Sequence, residues 1–157
     1  MQESYDRHRR ECELSRQAKT IDSNRAKQKE CITACYDMQS ILPTPSGDIS
    51  QFYYKRRLST YNFTIYNMGN GTGFYFIWHE GQAKRGPNEI GSCVNIFLKK
   101  NSFGKPIIFY SGNCTGQNKN KFIVSLYMYA VMSYNIPSIS HKFLITGHTQ
   151  NEGDHMH

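Results

Sequence analysis

The sequence predicts an α/β domain built on a mixed β-sheet with flanking helices, and three observations carry that expectation. Two Tyr- and Thr-rich segments meet at a Gly/Asn turn, as the strands of a β-hairpin do. A short apolar run, PIIFYS at 106–111, has the length and composition of a strand buried on both faces. From Gly86-Pro87 onward, helix-period and strand-like segments alternate, the pattern that lays parallel strands beside one another. A meander followed by that alternation yields a sheet that is mixed rather than all parallel.

Residues 1–30 hold eight Lys/Arg and six Asp/Glu, with Tyr5, Leu14 and Ile21 almost the only large apolar side chains. That composition predicts a charged, solvated helical lead with no core of its own. Composition changes at Cys31: CITACYDMQSIL (31–42) begins as a strand and is closed by Pro43-Thr-Pro45-Ser-Gly47. The hairpin follows, from YKRRLSTYNFTIYN (54–67) through the turn at 68–73 to GFYFIWHEG (73–81). In NEIGSCVNIFLKKN (88–101), Ile90, Cys93, Val94, Phe97 and Leu98 recur at helical spacing, with Pro87 suited to the first turn and Lys99 and Lys100 to the last. After the strand at 106–111, residues 119–135 are long enough for a helix, although their Val, Ile and Tyr content makes a strand a competitor. SISHKFLIT (138–146) closes the series as a strand.

The 157 residues suit one ordinary domain, and an aromatic share of 13% argues against disorder beyond the N-terminal stretch. A net charge of +7 favours an anionic partner, most simply nucleic acid. No apolar run is long enough to span a membrane, the N-terminus lacks the apolar segment of a secretory signal, and the odd count of five Cys suits reduced thiols. The expectation is an intracellular, not secreted, protein; the three Asn-x-Thr sequons are then chance matches.

In an open α/β sheet, sites gather at the carboxyl ends of strands. Three polar tips qualify: Asp37 on the first strand, Ser111-Gly112-Asn113 after the strand at 106–111, and the run 147–155 with Glu152 and Asp154. Carboxylates converging from separate strands would hold two hard divalent cations for phosphodiester chemistry. Asp37 and Asp154 fit two of the positions, while the middle tip carries no acid. For phosphate contact, the amides and cations of Gln117, Asn118, Lys119, Asn120 and Lys121 are candidates, as are Lys55, Arg56 and Arg57 on a Tyr-rich strand with Tyr53 and Tyr54 available for stacking. The histidines of the tail and the Cys31-x₃-Cys35 pair are weak zinc signals, and Cys114 has no identifiable partner for nucleophilic catalysis.

The strings YDMQSILPTP, YYKRRLSTYNFTIYN, SGNCTGQNKNKFIVSLYMYA and SHKFLITGHTQNEGD resemble, in this order over roughly residues 10–157, a transposon-derived family common in insects. The resemblance implies an RNase H-like, transposase-type fold over residues 31–157, incomplete at its C-terminus because relatives continue into a further helix. It places Asp37 at the first acidic position and Asp154 at the third. The second string usually reads Ser-Asp-Asn-Cys-x-Gly-Gln-Asn-Lys-Asn, and this chain has Gly112 where that acid stands. The resemblance therefore implies a nuclear DNA nuclease or strand-transfer domain of two-metal type, using Mg²⁺ or Mn²⁺ in intact relatives and inactive here. The alternative is a non-catalytic nucleic-acid or protein binding module derived from a mobile element.

Overall fold

The computed structural model describes residues 2–47, 56–101 and 103–144, with side chains from residue 5 onward. Among the described residues, three helices and six strands form a mixed α/β architecture. The long helix α1 (Gln2–Lys27) leads into β1 (Ile32–Met38) and the short β2 (Leu42–Thr44). The hairpin β3 (Leu58–Asn67) and β4 (Thr72–His79) comes next, then α2 (Pro87–Lys100), β5 (Ile107–Gly112), α3 (Lys121–Ser133) and β6 (Ile139–Leu144).

One sheet takes all six strands. β3 pairs antiparallel with β4 on one side and with β1 and β2 on the other, so β2 continues along the edge of β3 that β1 leaves. β1 then pairs in parallel with β5, and β5 in parallel with β6. The parallel pairs are the ones joined through helices, as parallel connections require.

Helix starts explain themselves locally. At α2, Pro87 occupies the first turn and Glu89 accepts from the Gly86 backbone N–H at 2.9 Å. At α3, the Asn120 side chain accepts from the N–H groups of Phe122 and Ile123 (3.1 and 3.2 Å), which settles the helix over its strand competitor. β2 was hidden in the sequence by Pro43, which is tolerated because this exposed three-residue strand pairs only with Leu58–Thr60.

The main core lies between the sheet and α2 with α3: Tyr36, Phe63, Ile65, Ile107 and Phe109 from the strands meet Ile90, Val94, Phe97, Leu98 and Ile123. A smaller cluster fills the opposite face, where Cys31, Cys35, Ile108, Tyr110 and Leu144 meet Ala26 of α1. The charged lead, expected to be solvated, buries one side against the sheet. Cys12, Lys19, Asp22 and Ala26 are buried, and Asp22 accepts from Tyr110 Oη at 2.6 Å and from Lys142 Nζ. Helix α1 is tied to the sheet by a buried carboxylate as well as by Ala26. Its approach needs Gly69, where a Cβ would stand 3.0 Å from the Ala26 carbonyl oxygen.

Candidate functional site

Alternation along the strands sets the tip geometry. In β1, Ile32, Ala34 and Tyr36 face the main core, so Asp37 shares the opposite face with Thr33 and Cys35. In β5, Ile107 and Phe109 face the main core, so Gly112 shares that same opposite face with Ile108 and Tyr110. Tyr36 is in register with Ser111 across the parallel β1–β5 pair, so Asp37 and Gly112 follow one residue further on at the carboxyl ends of adjacent strands. Both are half-buried. Across the other edge of β1, Asp37 is in register with Thr64, whose hydroxyl is buried without a hydrogen-bond partner among the described residues.

Gly112 is not a steric necessity. A Cβ there would meet nothing within 4 Å, and its backbone is not left-handed, so the position does not require glycine. Its carbonyl accepts from the Asn118 side chain at 3.0 Å, while the Cys114 carbonyl accepts from the backbone N–H groups of Gln117, Asn118 and Lys119. The loop is folded tightly over the strand end. Asn118 is buried in this bond and Asn120 caps α3, so both amides are engaged within the loop, whereas Lys119 lies 5.4 Å over the Phe143 ring. Gln117 is half-buried, its amide 3.5 Å from the Arg85 carbonyl.

A neutral polar chain backs the tip from the core side. Ser111 Oγ lies 2.8 Å from His141 Nε2, His141 Nδ1 lies 3.2 Å from Tyr127 Oη, and Tyr127 Oη lies 3.3 Å from Tyr36 Oη. Burial pulls the His141 pKa down to about 4 and pushes the Tyr36 and Tyr127 hydroxyls up, so the chain stays uncharged at neutral pH. Ser111 is fully buried, which removes it as a nucleophile for an external substrate.

The remaining sequence candidates fall elsewhere. Arg56 and Arg57 precede β3 rather than lying on it; Arg56 pairs with Glu80 at 3.4 Å and is otherwise exposed. Lys55, Tyr53, Tyr54, Asp154, Glu152 and the tail histidines lie outside the described residues. Asp22, which sequence reasoning missed, is the buried carboxylate of the second face, and its signal was the buried spacing 12, 19, 22, 26 on α1, invisible to hydropathy because two of those residues are charged.

Does the tip fit a pair of divalent cations? Asp37 supplies one carboxylate, Gly112 none, and no three His, Cys, Asp or Glu side chains cluster to hold a metal among the described residues. One carboxylate leaves too little charge and too few oxygens for two hard ions, so the described donor set does not fit. Among the described residues, no helix is long and apolar enough to cross a membrane.

Fold and site together define a mixed α/β domain with a polar tip where β1 and β5 run side by side, carrying one acid and one open glycine position. The chain belongs to the family described as Domain of unknown function (DUF7869), which matches residues 51–157. No curated protein and no solved structure matches the chain.

Proposed function

We propose that this chain is a transposase-derived, RNase H-like domain of the two-metal DNA nuclease or strand-transfer type, which binds DNA and has lost catalysis through Gly112. The observation that carries the reading is the pairing of Asp37 and Gly112 at the carboxyl ends of adjacent parallel strands, on one face, with open space where a side chain at 112 would project. Support also comes from the sheet, in which an antiparallel meander adjoins parallel β-α-β units with β1 in the interior. On this reading Asp37 and Asp154 are the remaining carboxylates, and the protein works in the nucleus on a phosphodiester backbone without cutting it.

The test is fluorescence anisotropy with a short labelled duplex, in Mg²⁺ and in EDTA, beside a cleavage assay on the same DNA. The reading expects weak binding that falls as salt rises, because each neutralised phosphate releases a condensed counterion. The DNA should remain intact in both conditions. Cleavage that needs Mg²⁺ would refute the loss of catalysis, and absence of any DNA binding would refute the domain's assignment to DNA.

A further inference from the structure

Two connected grooves lie at the other end of the sheet from Asp37 and Gly112. One, of about 380 Å³, runs along α1 between Arg16, Lys19, Thr20, Ser23, Asn24 and Lys27. The second, of about 210 Å³, is lined by Lys27, Lys29 and Lys105 with Asn67, Asn70 and Asn101, together with apolar residues that include Ile32 and Phe103. They share Lys27, and among the described residues no carboxylate lines either one. The nearby acids are turned to other partners: Asp22 to Tyr110, Lys142 and Arg25, and Glu30 to Arg25. Arg16, Lys27, Lys29 and Lys105 make no ion pair among the described residues.

From this we infer that the tract from Arg16 to Lys105 is a docking surface for the phosphate backbone of duplex DNA, an inference that rests on the DNA reading above and locates the contact away from the strand tips. The donor types are those that hold phosphates without reading bases: guanidinium and ammonium groups beside Ser, Thr and Asn side chains. Its length suits a polymer. Arg16 to Lys27 spans about 16 Å of helix, over which one DNA strand displays roughly five phosphates.

Lysines at a helix C-terminus also complement the helix dipole, which accounts for Lys27 in part. It does not account for Arg16, three turns upstream, or for Lys105 on the segment before β5. Nor does it account for the backbone of Lys29. The Glu30 N–H bonds the Arg25 carbonyl and the Lys29 N–H bonds the Ala26 carbonyl, so α1 ends in a Schellman motif with Lys29 at its left-handed position, φ 63°. Glycine suits that position best, and a lysine there is strained. The dipole favours a cation at Lys29, whereas the backbone conformation there favours glycine.

The experiment compares the full chain, the variant Arg16→Ala/Lys29→Gly/Lys105→Ala, and a charge-matched control, Lys84→Ala/Arg85→Ala/Lys99→Ala, for binding to one labelled duplex across a salt series. The tract variant should bind at least about tenfold more weakly at moderate salt, with the log–log salt slope shallower by about 2 to 3, since three phosphate contacts are lost. The control should change affinity less than about twofold, because its cations lie outside the contact. Lys29→Gly alone should raise the melting temperature while weakening binding, a combination that a purely structural lysine does not produce. Equal affinity of tract variant and control, with the native chain still binding DNA, overturns this inference and leaves the DNA reading standing; a native chain that binds no duplex sinks both. Polyglutamate of matching charge that competes as well as DNA would also overturn it, in favour of an acidic protein partner.

Discussion

On the face closed by α2 and α3, the sheet presents Tyr36, Phe63 and Phe109 to Phe97 and Tyr127; on the face met by α1, it presents Cys31, Cys35, Ile108 and Tyr110 to Ala26. The first face is aromatic and its polar chain, Ser111–His141–Tyr127–Tyr36, is neutral. The second is made of smaller groups and is tied by an ionised cluster, Asp22 with Lys142, Arg25 and the Tyr110 hydroxyl. The difference is one of dielectric. A closed aromatic core tolerates hydrogen bonds between neutral groups, whereas charge survives where Lys142 and Arg25 still reach water. Asp37 and Gly112 sit on the second face, the one built to carry charge.

The largest effect should separate the two cores directly. Phe109→Ala empties the centre of the aromatic face and should cost about 3–5 kcal/mol of unfolding free energy. Cys35→Ala, equally buried on the other face, should cost about 1 kcal/mol, because it removes a small, weakly polar group. Denaturant unfolding of the two variants checks the contrast, and equal losses would erase it.

Next comes the ionic tie. Asp22→Ala leaves the buried Tyr110 hydroxyl without its acceptor, at about 2–3 kcal/mol, while the half-exposed Lys142 regains water. Amide exchange should accelerate along α1 and leave α2 and α3 protected; uniform acceleration would mean that α1 is not held separately.

A smaller, graded effect follows from His141. Burial lowers its folded pKa from 6.5 to about 4, so the unfolded chain takes up the proton first. The contribution of neutral His141 is whole above pH 6.5 and is lost at up to about 1.4 kcal/mol per pH unit as pH falls toward 4. His141→Gln should flatten that part of the stability profile, and an unchanged profile would show that the histidine is not held neutral.

What was legible in the sequence follows from what each element is made of. The hairpin, α2 and β5 announce themselves through apolar periodicity and Gly, Asn and Pro punctuation, and they form where those signals stand. The helix at Lys121–Ser133 was ambiguous because its composition favours strands; one side chain, Asn120, decides it. The docking of α1 was illegible because the groups it buries include Lys19 and Asp22, which hydropathy assigns to water. At the tip, the adjacency of Asp37 and Gly112 followed from the order of the motifs, but Thr64 carried no signal, since its place opposite Asp37 depends on the register of β1 against β3.

The most direct test of the site is calorimetric titration of Mn²⁺ into the native chain, Gly112→Asp, and Gly112→Asp combined with Asp37→Asn. An aspartate at 112 enters open space beside Asp37, so Gly112→Asp should bind Mn²⁺ at least about tenfold more tightly than the native chain, and the added Asp37→Asn should abolish the gain. Equal binding by all three proteins would contradict the claim that β1 and β5 present a metal tip with one carboxylate missing.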